Sequence, residues 1–164
     1  MPLSVAQHSL SVLALRRAWA PSPLSPGEAL LELLHDAEEG FLGFDCISPL
    51  KAVLGQPFRD VGERLLKVVF ARYKVWPWSE TAYKEHKRAD SIAAASEAVH
   101  CTGWSRQEVR EVLNIEFPVL DVDPLAAIYA CEPWAPWSAE LAAERFLAEL
   151  TSLCTAAQNA RVGV

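Results

Sequence analysis

Apolar residues in this chain recur at steps of three and four, and no stretch alternates apolar with polar as a half-buried strand would. Val5, His8, Val12, Leu15 and Trp19 share one face of a first helix. Two capping boxes punctuate the chain beyond it. Ser25-Pro26-Gly27-Glu28 opens a second helix expected over residues 26–41, and Ser105-Arg106-Gln107-Glu108 opens a short one reaching about residue 113. Ser79 caps a long helix over residues 80–101 that carries Tyr83, His86, Asp90, Ala94 and Glu97 along one stripe. A third helix is predicted over residues 58–74, with Val61, Leu65, Val68, Val69 and Arg72 at roughly helical spacing. A last one starts at Ser138, and its Leu141, Phe146, Leu147, Leu150 and Leu153 are suited to closing a core. Residues 43–49 read as a loop, and residues 116–137 as irregular structure with one helical turn near 124–130. The expected class is all-α.

With 164 residues, 51% of them hydrophobic, the chain has the size of one domain that buries a core, so residues 1–164 are expected to form a single unit. A net charge of −6 and a pI of about 5.2 argue against a surface built to hold duplex nucleic acid, since such binding needs clustered cations. A small anionic substrate stays compatible, because a local pocket can be positive on an acidic protein. Cys46, Cys101, Cys131 and Cys154 form no C-x-x-C pair and are too scattered for a disulfide framework, which points to a reducing cytoplasm. The apolar stretch over residues 10–20 carries Arg16 and Arg17 inside it, unlike a signal peptide, and no apolar run has membrane-spanning length.

Four residues carry chemistry. His35 and Asp36 sit among Leu30, Leu31, Leu33 and Leu34, so burial is expected, and a buried carboxylate without a partner is very costly. Adjacent side chains on a continuous helix diverge by about 100°, so both reach one ion only at the helix edge, with ligands from other helices completing the shell. His8 and Asp90 are the right types on inward faces. Taken singly, each has an ordinary explanation: a hydrogen-bonded core histidine, or an aspartate paired with Lys87 or Arg88 on the surface. Taken together, two nitrogens and two oxygens make a donor set for one divalent ion of the Zn, Mn, Fe, Co or Ni kind. More than four coordination positions would leave one open for water.

The local contexts sharpen this. Ser4-Val5-Ala6-Gln7-His8-Ser9, Leu34-His35-Asp36-Ala37-Glu38-Glu39, Ile47-Ser48-Pro49-Leu50-Lys51 and Lys87-Arg88-Ala89-Asp90, followed at a helical distance by Glu97, occur in this order over most of the chain. The set resembles the HD-domain phosphohydrolases, in particular the bacterial and phage-type branch similar to 5'-deoxynucleotidases. The resemblance implies a compact helical bundle with His8, His35, Asp36 and Asp90 as metal ligands. It implies that Glu39, one turn beyond the His-Asp pair, acts in catalysis, with Asp45 beside it, and that Lys51 faces substrate phosphate. Gly43-Phe44-Asp45 has one residue more between glycine and aspartate than the family's Gly-Asp. Only seven residues precede His8, where relatives carry helices that recognise substrate, so base and sugar preference is left open.

The expected activity is metal-dependent hydrolysis of the 5'-phosphate of deoxynucleoside or related small nucleoside monophosphates, by a water whose pKa the ion lowers. Cleavage of nucleoside triphosphates at the same site is one alternative. A two-iron oxygenase using His86 or His100 is another, and a domain that binds nucleotide without turnover a third. A homodimer is compatible with this organisation. Trp76, Trp78, Trp134 and Trp137 cluster around prolines and are expected to pack loops onto the bundle.

Overall fold

The computed structural model describes residues 3–43, 46 and 48–162, and every regular element among them is helical. In chain order these are α1 (Val5–Trp19), α2 (Pro26–Leu33), α3 (Ala37–Leu42), α4 (Ser48–Tyr73), α5 (Glu80–Thr102), α6 (Arg106–Leu113), α7 (Ala126–Tyr129) and α8 (Ala139–Val162). The fold is all-α, as the periodicity indicates.

Local chemistry sets the boundaries. Ser4, Ser25, Ser79 and Ser105 each accept a hydrogen bond from a first-turn N–H, and at Ser25 and Ser105 the reciprocal glutamate bond closes both capping boxes. α4 is bent at Gly55, whose φ of 72° and ψ of −159° belong to glycine alone. Pro57 follows in the next turn, where its missing N–H costs little at a break already present.

α1 lies at the centre and packs against α2, α5 and α8. Leu10, Leu13, Leu30, Leu33, Leu34, Leu150 and Leu153 meet in the main core, which Trp137 and Phe70 extend. Val12 and Leu15 pack on Ala89, Ile92 and Ala93 of α5, bringing α1 and α5 together along the stripes that carry His8 and Asp90. A strap over residues 131–137 is tied to α1 by Gln7, whose Nε2 donates to the Ala135 carbonyl at 3.0 Å and whose Oε1 accepts from Trp137 N–H at 2.9 Å.

Four expectations are corrected. The helix expected over residues 26–41 is interrupted at residues 34–36, which separate α2 from α3. On α4 the inward face is Leu66, Val69, Phe70 and Tyr73, while Val61 and Val68 are exposed. A mixed-charge helix with apolar residues on several sides has no single stripe to read. Leu147 of α8 also faces outward, and so does Trp76, at 83% exposure, unlike the other three tryptophans of its group. No helix among the described residues is long and apolar enough to cross a membrane.

Candidate metal centre

The break between α2 and α3 shapes the site. Leu34 leaves helical geometry at φ −99° and ψ 8°, and Asp36 at φ −112° and ψ 22°. A continuous helix would splay His35 and Asp36 apart. The interruption instead places His35 Nε2 3.1 Å from Asp36 Oδ2. α1 supplies His8, whose Nε2 lies 3.2 Å from Asp90 Oδ1 of α5 and 3.8 Å from Asp36 Oδ2. His35 Nε2 is 3.9 Å from Asp90 Oδ1. One donor atom from each of His8, His35, Asp36 and Asp90 falls within 4.8 Å of the others, and they form a group that could hold a metal ion.

The spacing suits a shared cation. Donors about 2.1 Å from one ion stand roughly 3.0 to 4.2 Å apart as the angle between them opens from a right angle to a straight line. Four of the separations, 3.1 to 3.9 Å, fall in that range.

The outer nitrogens of both imidazoles are already held. His35 Nδ1–H donates to the Glu32 carbonyl at 2.8 Å, which leaves Nε2 as the lone-pair nitrogen. That Nε2 is buried and has no hydrogen-bond partner, for Asp36 lies close to it but not in a bonding direction. A buried ring nitrogen left unpaired while aimed at two carboxylates and a second imidazole fits coordination better than packing. His8 Nδ1 is 2.8 Å from Glu97 Oε2, the carboxylate–histidine arrangement that orients a ligand and raises its basicity.

Electrostatics agree with the geometry. Burial alone would lower the pKa of His8, but Glu97 and Asp90 outweigh it and hold it well above 6.5. In the metal-free centre the imidazolium donates from both nitrogens, to Glu97 and to Asp90. His35 is likewise raised, burial being outweighed mainly by Asp36. Burial pushes the Asp36 and Asp90 carboxyls up, yet the two histidines hold both well below the usual carboxylate range. Lys87 donates to Asp90 Oδ2 and adds to the effect there.

Behind His35 lies a buried polar cluster that the sequence reading missed. The Glu32 carboxylate accepts from Arg16 Nε at 3.0 Å and Trp78 Nε1 at 3.2 Å through Oε1, and from His86 Nδ1 at 2.7 Å through Oε2. Burial is outweighed by His86 and Arg16, so the Glu32 carboxyl is lowered. The His86 ring stands edge-on to His35 at 4.9 Å between centroids and stacks on Trp78 at 4.3 Å. His86 thus buttresses a neighbouring ring and is not one of the four grouped donors. His100 is engaged elsewhere, on the Leu120 carbonyl and against the Trp134 ring. The cue for Glu32 was the argument applied to Asp36: a charge set in a leucine run needs partners.

Glu39 is buried, and its Oε1 accepts from Lys51 Nζ at 2.8 Å, so these two expected site residues meet each other. Neither belongs to the four-residue group. Asp45 lies outside the described residues. Glu38, the neighbour of Glu39, is half-buried, and burial raises its carboxyl.

No protein-family model matches the chain. Over 118 residues it is 35% identical to an uncharacterized protein of Rhodobacter capsulatus, an alignment that covers 71% of this chain. The chain spans 59% of that relative's length.

Proposed function

We propose that the chain is a metal-dependent phosphohydrolase of the HD-domain type that cleaves the 5'-phosphate of (deoxy)nucleoside monophosphates. The observation that carries this reading is the convergence of His8, His35, Asp36 and Asp90 from three helical segments, with His35 Nε2 buried and unpartnered. The preference for nucleotides rests on the resemblance of the sequence motifs.

His8, His35, Asp36 and Asp90 would hold one divalent ion of the Zn, Mn, Fe, Co or Ni kind, since two imidazoles and two carboxylates make a mixed donor set. A divalent cation in such a site supplies Lewis acidity and lowers the pKa of water. The chain's own residues do the rest. Glu97 and the Glu32 carbonyl fix the two rings through their Nδ1 atoms. Lys51 brings a cation beside Glu39 and attracts the anionic phosphate. Glu39, buried next to that lysine, orients the attacking water and accepts its proton.

The test is a phosphate-release screen on metal-reconstituted protein across nucleoside mono-, di- and triphosphates. Metal-dependent release from deoxynucleoside monophosphates, suppressed by chelator, is expected. Release from triphosphates alone, or from none of these substrates with a full complement of metal, overturns the proposal.

A further inference from the structure

The two histidines of the centre are held unequally. His8 Nδ1 is fixed by a carboxylate, Glu97, at 2.8 Å. His35 Nδ1 has only a neutral carbonyl, that of Glu32, also at 2.8 Å. A bond to a charged acceptor is roughly twice as strong as one to a neutral acceptor, so His35 is the less firmly oriented ring. Its backbone adds little, because residue 35 lies in the break between α2 and α3 and not inside a helix. One hydrogen bond at Nδ1 also leaves the ring free to swing about that bond, which would turn the Nε2 lone pair away from the other donors. A metal-binding constellation works only when its members stay within about 10–20° of the productive direction.

His86 removes that freedom. Its ring meets the His35 ring at 4.9 Å between centroids and an interplanar angle of 67°, and Trp78 backs it in a stack at 4.3 Å and 23°. Its Nδ1–H donates to Glu32 Oε2 at 2.7 Å, with both side chains almost fully buried. Arg16 and Trp78 anchor that carboxylate through Oε1. This double task accounts for the residue type: phenylalanine would supply a ring and deprive the buried Oε2 of its bond, while glutamine would supply the donor and no ring. Glu32 thus acts on His35 twice, by its carbonyl on Nδ1 and by its carboxylate through His86. α5 carries His86 one turn before Asp90, so one helix sets both a carboxylate of the centre and the plane of the His35 imidazole.

We infer that His86 is a positioning residue for His35: fixed by Glu32 and stacked on Trp78, it holds the imidazole plane so that the four donors stand ready before an ion arrives. The inference rests on the metal centre of the proposed phosphohydrolase. His86 makes no bond to the ion and takes no part in hydrolysis, which sets this role apart from the two-iron alternative, where it would be a ligand.

The experiment measures Zn2+ affinity by competition with a chromophoric chelator, and the visible absorption of Co2+-loaded protein, in wild type and three variants of the full chain. His86→Ala should still take up about one ion, with affinity lowered about 10- to 100-fold, the range for removing an outer-shell support of a metal ligand. Its Co2+ bands should shift, because the His35 donor is no longer held in one direction. His86→Phe, which keeps a ring against Trp78 and His35, should fall between His86→Ala and wild type in both readouts, and it carries the test if circular dichroism shows His86→Ala unfolded. Leu153→Ala, a core truncation in α8 away from the centre, should lower stability yet leave affinity within about two-fold and the Co2+ spectrum unchanged. Wild-type affinity and spectrum in both His86 variants overturn the inference, as does the same loss in Leu153→Ala, which would make the effect one of general stability. Two ions in wild type with one lost in His86→Ala also overturn it, since His86 would then be a ligand. If wild type itself binds no ion, the metal-centre reading falls, a result distinct from a wild type that binds tightly and His86 variants that bind equally well.

Discussion

His35 donates from Nδ1 to the backbone carbonyl of Glu32, one helical turn earlier, at 2.8 Å. One residue therefore orients the buried ring through its main chain while its carboxylate binds Arg16, Trp78 and His86 directly behind. Fold stability and site geometry meet at this residue.

Glu32→Ala should accordingly cost about 3–5 kcal/mol, the range for removing one partner of a buried charged pair, because Arg16 is left buried with only the half-exposed Glu85 carboxylate, 4.0 Å away, as a partner. Urea denaturation of the metal-free protein checks this. A loss below about 1 kcal/mol would mean that the cluster contributes no more than a surface pair.

The two imidazoles give the metal-free protein a characteristic pH dependence. The pKa of His8 is raised on folding, so its contribution to stability is complete below the unfolded value of 6.5 and is lost as pH rises through the folded value. Thermal melts of chelator-treated protein should show a midpoint that falls as pH rises above about 6.5. Metal binding must displace the proton from Nε2, so apparent metal affinity should rise over the same interval. A midpoint that climbs with pH would contradict the charged His8 bridging Glu97 and Asp90.

Much of this arrangement was legible in the sequence. The serine caps at 79 and 105 and the three-and-four spacing of the first segment gave α5, α6 and α1 nearly to the residue, because capping is decided within one turn. His8, His35, Asp36 and Asp90 are brought together as expected. The break before α3 was not readable, since Leu34 and Asp36 are not helix breakers and only packing around the His-Asp pair rewards non-helical torsions there. Glu32 and Glu38 escaped for a related reason. A carboxylate's partners come from distant segments, such as Arg16 and His86 for Glu32, and periodicity within one helix is silent about them.

Glu39→Gln should reduce turnover by at least about 100-fold while metal content stays near that of wild type, since proton transfer by a positioned carboxylate contributes on that scale. Phosphate release and metal analysis on the same preparation separate the roles. Loss of the ion together with activity would make Glu39 a ligand and not a proton acceptor.

Gly55→Ala should destabilise the protein by about 1–3 kcal/mol, because a φ of 72° with a ψ of −159° is closed to residues bearing a Cβ. There is open space around the position, so the loss would be conformational and not steric contact with a neighbour. Equal stability of the variant would show that the bend in α4 relaxes freely.

The most direct test of the centre is the number of metal ions retained per chain after loading with divalent cations and exhaustive dialysis. The four-residue arrangement predicts about one ion per chain in wild type and near-complete loss in His35→Ala and in Asp36→Ala, each checked for folding by circular dichroism. No bound ion above background in the wild type, or undiminished binding in both variants, would contradict it.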